Sequence, residues 1–114
     1  MIGERIKIFI SQPMNNRTLD EIKKERLYIG YVVGKAYPQR EIEILDTLFD
    51  LGDDAHALQY LGKSIEIMAD ADLVVFAKGW QHARGCRIEH DCAVDYDKDI
   101  ALLYVLEKVL DREK

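Results

Sequence analysis

The sequence has few of the residues that mark several large classes of protein. Two cysteines in 114 residues, Cys86 and Cys92, cannot supply the dense disulfide framework of a small secreted domain. Two prolines, with no repeat and no low-complexity stretch, leave no candidate linker, so we predict a single domain over residues 1–114. The first residues, "MIGERIKIFIS", lack the basic-then-apolar layout of a signal peptide. We therefore expect a cytoplasmic protein.

Charge and hydropathy argue against two further classes. The formal net charge is −5, whereas a surface that coats nucleic acid needs a basic excess. No apolar run approaches the roughly 20 residues that a membrane helix needs. We therefore expect neither a nucleic-acid polymer nor a membrane as partner. A small phosphorylated ligand held by a few local arginines stays compatible with this charge.

Three common catalytic and cofactor motifs are also missing. The sequence contains no G-x-G-x-x-G, no P-loop and no nucleophile elbow. Dinucleotide binding, nucleotide triphosphate hydrolysis and serine hydrolase chemistry therefore have no support from motifs. We predict no cofactor.

Short β-branched runs alternate with helical patterns along the chain, which favours an α/β fold with a parallel sheet covered by helices on both faces. Thr18 is a plausible helix N-cap, with Glu21 as its capping-box partner. Segment 47–59 reads as a loop or a broken helix. Strands are predicted at 6–10, 41–45, 72–77 and 99–105, and helices at 19–37, 60–71 and 83–96, with a helical or frayed end at 106–114.

Small-molecule sites in such folds lie beyond the carboxyl ends of the strands. This rule selects two loops, "SQPMNNR" after the first strand and "KGWQHARG" after the third. The candidate ligand-binding residues of the first loop are Ser11, Gln12, Pro13, Met14 and Asn15, and those of the second loop are Gly79, Trp80, Arg84 and Gly85.

The predicted helix after the second loop brings a carboxylate to this region. Its apolar stripe is predicted to contain Gly85, Ile88, Cys92 and Tyr96, with Glu89 at the edge of the stripe. A carboxylate that borders apolar surface has a raised pKa and interacts strongly with a cationic transition state. A partly exposed Glu89 paired with Arg or Lys is the simpler alternative.

Other side chains near this helix have more than one interpretation. Arg84 and Arg87, beside Gly85, could hold a phosphate at the helix N-terminus or lie in solvent. Trp80 could stack on a base or cover the edge of the core. A third, weaker interpretation is a zinc site, for which the candidate ligands are His82, Cys86, His90 and Cys92.

These motifs together resemble the nucleoside 2-deoxyribosyltransferase superfamily. The resemblance rests on "KIFISQPMNN", "ADADLVVFAKGW" and "ARGCRIEHDCAVDY", and it is closer still to a small-domain branch found in phages and bacteria. It implies a flavodoxin-like or Rossmann-like three-layer fold with a sheet of about 4–5 strands. It also implies that Glu89 is a nucleophile that attacks the anomeric carbon of a nucleoside or nucleotide, as in retaining glycoside chemistry. It adds Asp72 to the candidate site and implies a homo-oligomer.

Two positions depart from the pattern of the catalytic members. Ala83 stands where they carry a sugar-contacting Asp or a phosphate-contacting Ser, and Ser64 stands where they carry an Asp that assists the leaving base. Serine cannot act as a general acid near neutral pH, so the enzyme would be slow or would use another acid. The candidates are His82, His90 and Asp91.

Two functions follow for the whole chain. The first is cleavage or exchange of the N-glycosidic bond of a nucleoside 5′-monophosphate, with Arg84, Ser11 and Asn15 on the phosphate or ribose and Trp80 facing the base. The second is nucleotide binding without turnover, as a sensor or a sequestering protein. A homodimer or larger assembly is also expected, because Tyr28, Tyr31 and Val32 on the first helix exceed what one sheet face can bury.

Overall fold

A computed structural model describes residues 3–112. The strands are β1 (Gly3–Ser11), β2 (Arg40–Ile44), β3 (Leu73–Phe76) and β4 (Ile100–Leu102). The helices are α1 (Leu19–Ala36), α2 (Ala57–Met68), α3 (Arg84–Asp95) and α4 (Leu103–Arg112), with one 3₁₀ turn over Trp80–His82. None of the helices within the described residues is both long and apolar enough to cross a bilayer.

The four strands form one parallel sheet in the order β2-β1-β3-β4. Helices cover both faces, so the fold is a three-layer α/β arrangement of the flavodoxin-like or Rossmann-like kind, as predicted. On one face, Ile6, Ile8 and Ile10 pack with α1 and α4. On the other face, Phe9 and Phe76 pack with α2 and α3. The alternation of side chains along β1 and β3 therefore feeds two cores, one on each side of the sheet.

The predicted fourth strand is too long. The apolar run from Asp99 to Val105 was predicted as strand throughout, but β4 ends at Leu102 and α4 begins at Leu103. Leu103 is buried in the core, and Leu106 and Leu110 pack beside it at helical spacing. A short apolar run does not by itself distinguish a strand from a helix, and here the helical spacing further along decides. The predicted end extends to residue 114, and residues 113–114 lie outside the described part.

Helix α1 begins as the sequence predicts. The Thr18 hydroxyl accepts from the Glu21 amide, and the Glu21 carboxylate accepts from the Thr18 amide, each at 3.1 Å. Further along this helix, Arg26 is 9% exposed, whereas its neighbour Leu27 is 76% exposed. Helical phase thus buries a cation and leaves the adjacent apolar residue in solvent.

The first helix also corrects part of the argument for an assembly. Val32 is buried in the core at 2% exposure, so it does not contribute to an outer apolar face. Tyr28 and Tyr31 are exposed, and the Tyr28 hydroxyl donates to Glu107 on α4. The homo-oligomer stays a prediction that rests on the two tyrosines and on the resemblance.

Candidate functional site

An open cleft of about 980 Å³ lies at the carboxyl edge of the sheet. Ser11, the last residue of β1, is in register with Phe76, the last residue of β3. From β1 the chain crosses to β2 on one side, and it later returns to β3 on the other, so the loops after these strands diverge and leave a crevice. The volume is within the range of small-molecule sites, roughly 300–1,000 Å³.

Glu89 forms the floor of this cleft. It lies in the second turn of α3, is 8% exposed and lines the cleft. The Ser11 hydroxyl donates to Glu89 Oε1 at 2.6 Å. Burial raises the pKa of Glu89 to about 7, and the hydrogen bond from Ser11 partly offsets that rise. The carboxyl group can therefore exchange a proton, or act as a carboxylate, near neutral pH.

The phase of α3 differs from the predicted one. The buried residues of this helix are Cys86, Glu89 and Ala93, whereas Ile88 is 37% exposed and Tyr96 81% exposed. The predicted stripe is wrong by one residue, which is about 100° on a helix. Because the observed face meets the sheet, Glu89 lies on the buried face itself and not at its edge. Its partner is Ser11, not an Arg or Lys.

Cys86 lies one turn before Glu89 and is also buried in the cleft wall. Burial raises the pKa of its thiol to about 11, an interaction with the Ser11 side chain lowers it slightly, and the charge of Glu89 raises it further. The thiolate is the reactive form of cysteine, so this thiol is protonated and inert near neutral pH.

The N-terminus of α3 opens on the same cleft. Its N-cap residue, Ala83, gives no side-chain cap, so the first amides of the helix are not satisfied by a local side chain. Arg84 and Gly85 line the cleft, and a Cβ built at Gly85 meets nothing within 4 Å. The backbone there is accessible to a ligand. Arg87, which also lines the cleft, donates to the Gln81 carbonyl at 3.1 Å.

Hydrogen bonds from residues on α1 and just before it hold the loop after β1 in place. Gln12 is 5% exposed; its amide donates to Glu25 Oε1 at 2.8 Å, and its carbonyl accepts from Arg26 Nη1 at 3.0 Å. Arg17 donates to Glu25 at 2.9 Å and to the Pro13 carbonyl at 2.8 Å. These bonds fix the backbone from which Pro13, Met14 and Asn15 line the cleft.

Arg26 extends the same network to the loop after β2. Its guanidinium donates to Thr47 Oγ1 at 3.1 Å and to the Leu45 carbonyl at 3.0 Å. Burial lowers its pKa, and the nearby charge of Asp46 opposes that effect. One buried side chain of α1 thus anchors two of the loops that shape the cleft.

The outer wall of the cleft is formed by residues 45–64, and of these the sequence pointed only to Ser64, through the resemblance. Thr47 and Phe49 lie on the loop after β2, and Tyr60 and Ser64 lie one turn apart on α2; all four line the cleft. The rule that selected the loops after β1 and β3 applies equally to β2, since parallel strands end at the same edge. Applied to β2, it would have drawn attention to the aromatic residue in "TLFD".

Most of the predicted site residues lie together. Ser11 is 1% exposed and lies behind Glu89, so it contacts the carboxylate and not the open cleft. The predicted residues that line the cleft are Gln12, Pro13, Met14, Asn15, Arg84, Gly85 and Glu89.

Asp72 lies elsewhere. It precedes β3 at the amino edge of the sheet, where its carboxylate accepts from the Lys7 amide at 2.8 Å. Five residues of extended chain, about 16 Å, separate it from Ala77 at the opposite edge. Asp72 therefore holds β1 to β3 and cannot contact a ligand in the cleft.

Gly79 and Trp80 do not line the cleft either. Gly79 has φ +82°, which favours glycine, and it lies beside the other loop, since a Cβ there would be in ordinary van der Waals contact with Pro13 Cγ at 3.7 Å. The Trp80 ring lies 5.3 Å from the Phe76 ring and stacks on the His90 ring at 4.3 Å. Trp80 thus covers the edge of the core, the second of its two predicted roles, and its buried Nε1 has no hydrogen-bond partner among the described residues.

The four candidate zinc ligands do not converge. His82 lines the cleft, Cys86 is buried in its wall, and His90 is stacked on Trp80. Within residues 3–112, no three His, Cys, Asp or Glu side chains are grouped as a metal site. This arrangement argues against the zinc interpretation.

One protein-family model covers nearly all of the structured region. Residues 6–102 match the family described as "Domain of unknown function (DUF4406)". The chain belongs to this family. The matched region of this DUF4406 member runs from β1 to the end of β4 and includes the whole cleft. No curated protein and no solved structure matches the chain.

Proposed function

We propose that this protein cleaves the N-glycosidic bond of a nucleoside 5′-monophosphate, with Glu89 as the nucleophile. The observation that supports it most directly is the buried Glu89 carboxyl at the floor of the cleft, held through Oε1 by Ser11. A preoriented carboxylate in a water-poor setting stabilises the positive charge that develops at an anomeric carbon. The resemblance to the nucleoside 2-deoxyribosyltransferase superfamily assigns the same role to this glutamate.

The proposed reaction has two steps. In the first, Glu89 Oε2 forms a bond to C1′, the C1′–N bond breaks, and the leaving nitrogen of the base takes up a proton. In the second, water attacks C1′, the bond between C1′ and Oε2 breaks, and the water returns one proton to the group that protonated the leaving base. The net change is a nucleotide plus water giving the free base plus the sugar phosphate; a second base in place of water gives exchange.

The residues that line the cleft limit which side chain can protonate the leaving base. His82 lines the cleft, whereas His90 is stacked on Trp80, and Asp91 is exposed and does not line it. We therefore assign the proton of the leaving base to His82. Arg84 and the open backbone at Gly85 are the proposed phosphate contacts, because arginine and helix N-termini both attract phosphate.

Nucleotide binding without turnover is the second candidate. Two observations favour it, both at residues that line the cleft: Ala83 replaces the sugar-contacting Asp or phosphate-contacting Ser of the catalytic members that the chain resembles, and Ser64 replaces the Asp that assists the leaving base. Help to the leaving group is typically worth about 10²–10⁴-fold in rate. A binding protein would keep the cleft and lose this contribution.

The test is release of free base from a panel of ribo- and deoxyribonucleoside monophosphates, followed by chromatography. The wild type should release base from at least one, and Glu89→Ala should lower the rate by more than about a thousandfold. Asp95→Asn, which changes an exposed carboxylate on the same helix, is the matched control and should match the wild type.

The outcomes separate the two candidates. Equal release by the wild type and Glu89→Ala would disprove the role of Glu89. No release by the wild type, together with thermal stabilisation by one nucleotide, would establish the binding protein in place of the enzyme.

A further inference from the structure

Two clusters of packed rings within residues 3–112 differ in what their rings can contact. The rings of Phe76, Trp80 and His90 pack against one another beneath α3. Phe49 and Tyr60 form a separate pair, with ring centroids 5.9 Å apart and planes within 6° of parallel, and both line the cleft. Only the second pair offers aromatic surface to a ligand.

We propose that Phe49 and Tyr60 are the platform on which the aromatic base of the ligand stacks; this rests on the proposed function, in which the ligand is a nucleotide. Two parallel stacked rings leave an outer ring face, and a planar heterocycle extends such a stack at favourable distance. Trp80, the base contact expected from the sequence, is already occupied by Phe76 and His90.

The platform is held in place on each side of Phe49. Before it, Arg26 binds the Leu45 carbonyl and the Thr47 hydroxyl. After it, the Tyr60 hydroxyl accepts from the Leu51 amide at 3.2 Å. A loop without regular structure is thereby positioned before any ligand binds, which lowers the entropy lost on binding.

The chemistry of the outer wall indicates how the base is selected. Between Thr47 and Ser64, the cleft-lining side chains that the structure describes carry rings, aliphatic groups and hydroxyls, and none carries a charge or an amide. The Ser64 hydroxyl, one turn from Tyr60, can both donate and accept, so it tolerates either kind of base edge. We infer selection by stacking strength, with purine nucleotides bound more tightly than pyrimidine nucleotides.

The test measures affinity by calorimetry in a Glu89→Gln background, which prevents turnover. The ligands are purine and pyrimidine nucleoside monophosphates and ribose 5-phosphate, which lacks the base. Phe49→Ala should weaken purine nucleotide binding by about tenfold or more and leave ribose 5-phosphate binding unchanged. Phe49→Tyr, which keeps the ring, should bind like the parent, and so should Leu27→Ala, which removes an exposed aliphatic residue of α1 that does not line the cleft.

Phe49→Leu keeps an apolar wall while removing the ring face, and it replaces Phe49→Ala if that variant fails to fold. Equal weakening of the nucleotide and of ribose 5-phosphate, or unchanged nucleotide affinity, would overturn the platform. The platform would also be overturned if the Glu89→Gln parent bound a purine nucleotide and ribose 5-phosphate with equal affinity. Base-dependent binding by a wild type that releases no base would support the platform and refute the enzyme, so the two proposals fail separately.

Discussion

The floor and the outer wall of the cleft are built in different ways. The floor is the buried carboxyl of Glu89, on a helix that packs against the sheet, and Ser11 on a central strand holds it from behind. The outer wall consists of a loop and α2, a helix of 12 residues of which only Met68 is buried. The difference separates two tasks: a carboxyl group that must be held within fractions of an ångström lies on buried regular elements, whereas the surface that meets variable parts of a ligand lies on a loop and a mostly exposed helix.

The largest expected effect comes from removing the hydrogen bonds by which α1 holds the outer wall. Arg26→Ala leaves three acceptors, on Gln12, Leu45 and Thr47, without their donor. We expect a loss of unfolding free energy on the order of 4 kcal/mol, since each unsatisfied buried group costs about 1–3 kcal/mol. Denaturant unfolding at neutral pH measures this loss.

The control for this prediction is Arg5→Ala. Arg5 forms exposed ion pairs with Glu41 and Glu43, and solvent screening leaves such pairs with little effect on stability. If Arg26→Ala cost no more than Arg5→Ala, the network would not anchor the loops.

The floor can be tested separately through the pH dependence of stability that the buried Glu89 carboxyl causes. Because burial raises the pKa of Glu89 from 4.5 to about 7, the native state binds this proton more tightly than the unfolded state. The contribution of Glu89 to stability is therefore fully present below about pH 4.5 and is lost as the pH rises through about 7. Glu89→Gln cannot ionise, so we expect it to exceed the wild type in unfolding free energy by about 3 kcal/mol at pH 8.5 and by little at pH 5.

Denaturant unfolding at the two pH values checks this prediction. Glu66→Gln serves as the control, because Glu66 is exposed on α2 and its neutralisation should give a small effect at both pH values. If the difference in unfolding free energy between Glu89→Gln and the wild type did not grow with pH, Glu89 would not be a buried carboxyl with a raised pKa.

The smallest expected effect sharpens the role of Ser11. The hydrogen bond from Ser11 favours the charged form of Glu89, so Ser11→Ala should raise the pKa of Glu89 further. Since the carboxylate is the proposed nucleophile, base release should increase with pH through about 7 in the wild type and at higher pH in the variant. A pH–rate profile measures both midpoints. An unchanged midpoint, or one at lower pH, would show that Ser11 does not act through Glu89.

The contrast between floor and outer wall also explains what the sequence could reveal. The alternating runs around β1 and β3 and the capping residues Thr18 and Glu21 are local signals, and they predict the sheet, the first helix and the two loops at its carboxyl edge. Glu89 was identified because its helix follows directly from one of those loops.

The rest depends on contacts between residues distant in sequence. The predicted and the observed buried faces of α3 are offset by one residue. Packing against the sheet and the hydrogen bond from Ser11, which lies 78 residues earlier, determine which face is buried. Phe49 and Tyr60 become neighbours through a loop without periodicity, and Arg26 is exceptional as a buried cation on an amphipathic helix. Local patterns carry no information about such partners.

The position of Trp80 has a practical consequence for spectroscopy. It is the only tryptophan of the chain, and its ring is packed between the core edge and His90, outside the cleft. Its fluorescence emission therefore reports whether the packing of Trp80 against Phe76 and His90 is intact, and a base stacked at the outer wall does not quench it. Intrinsic fluorescence can follow unfolding in the presence of nucleotides, whereas detection of the ligand itself needs a chromophore introduced at the outer wall.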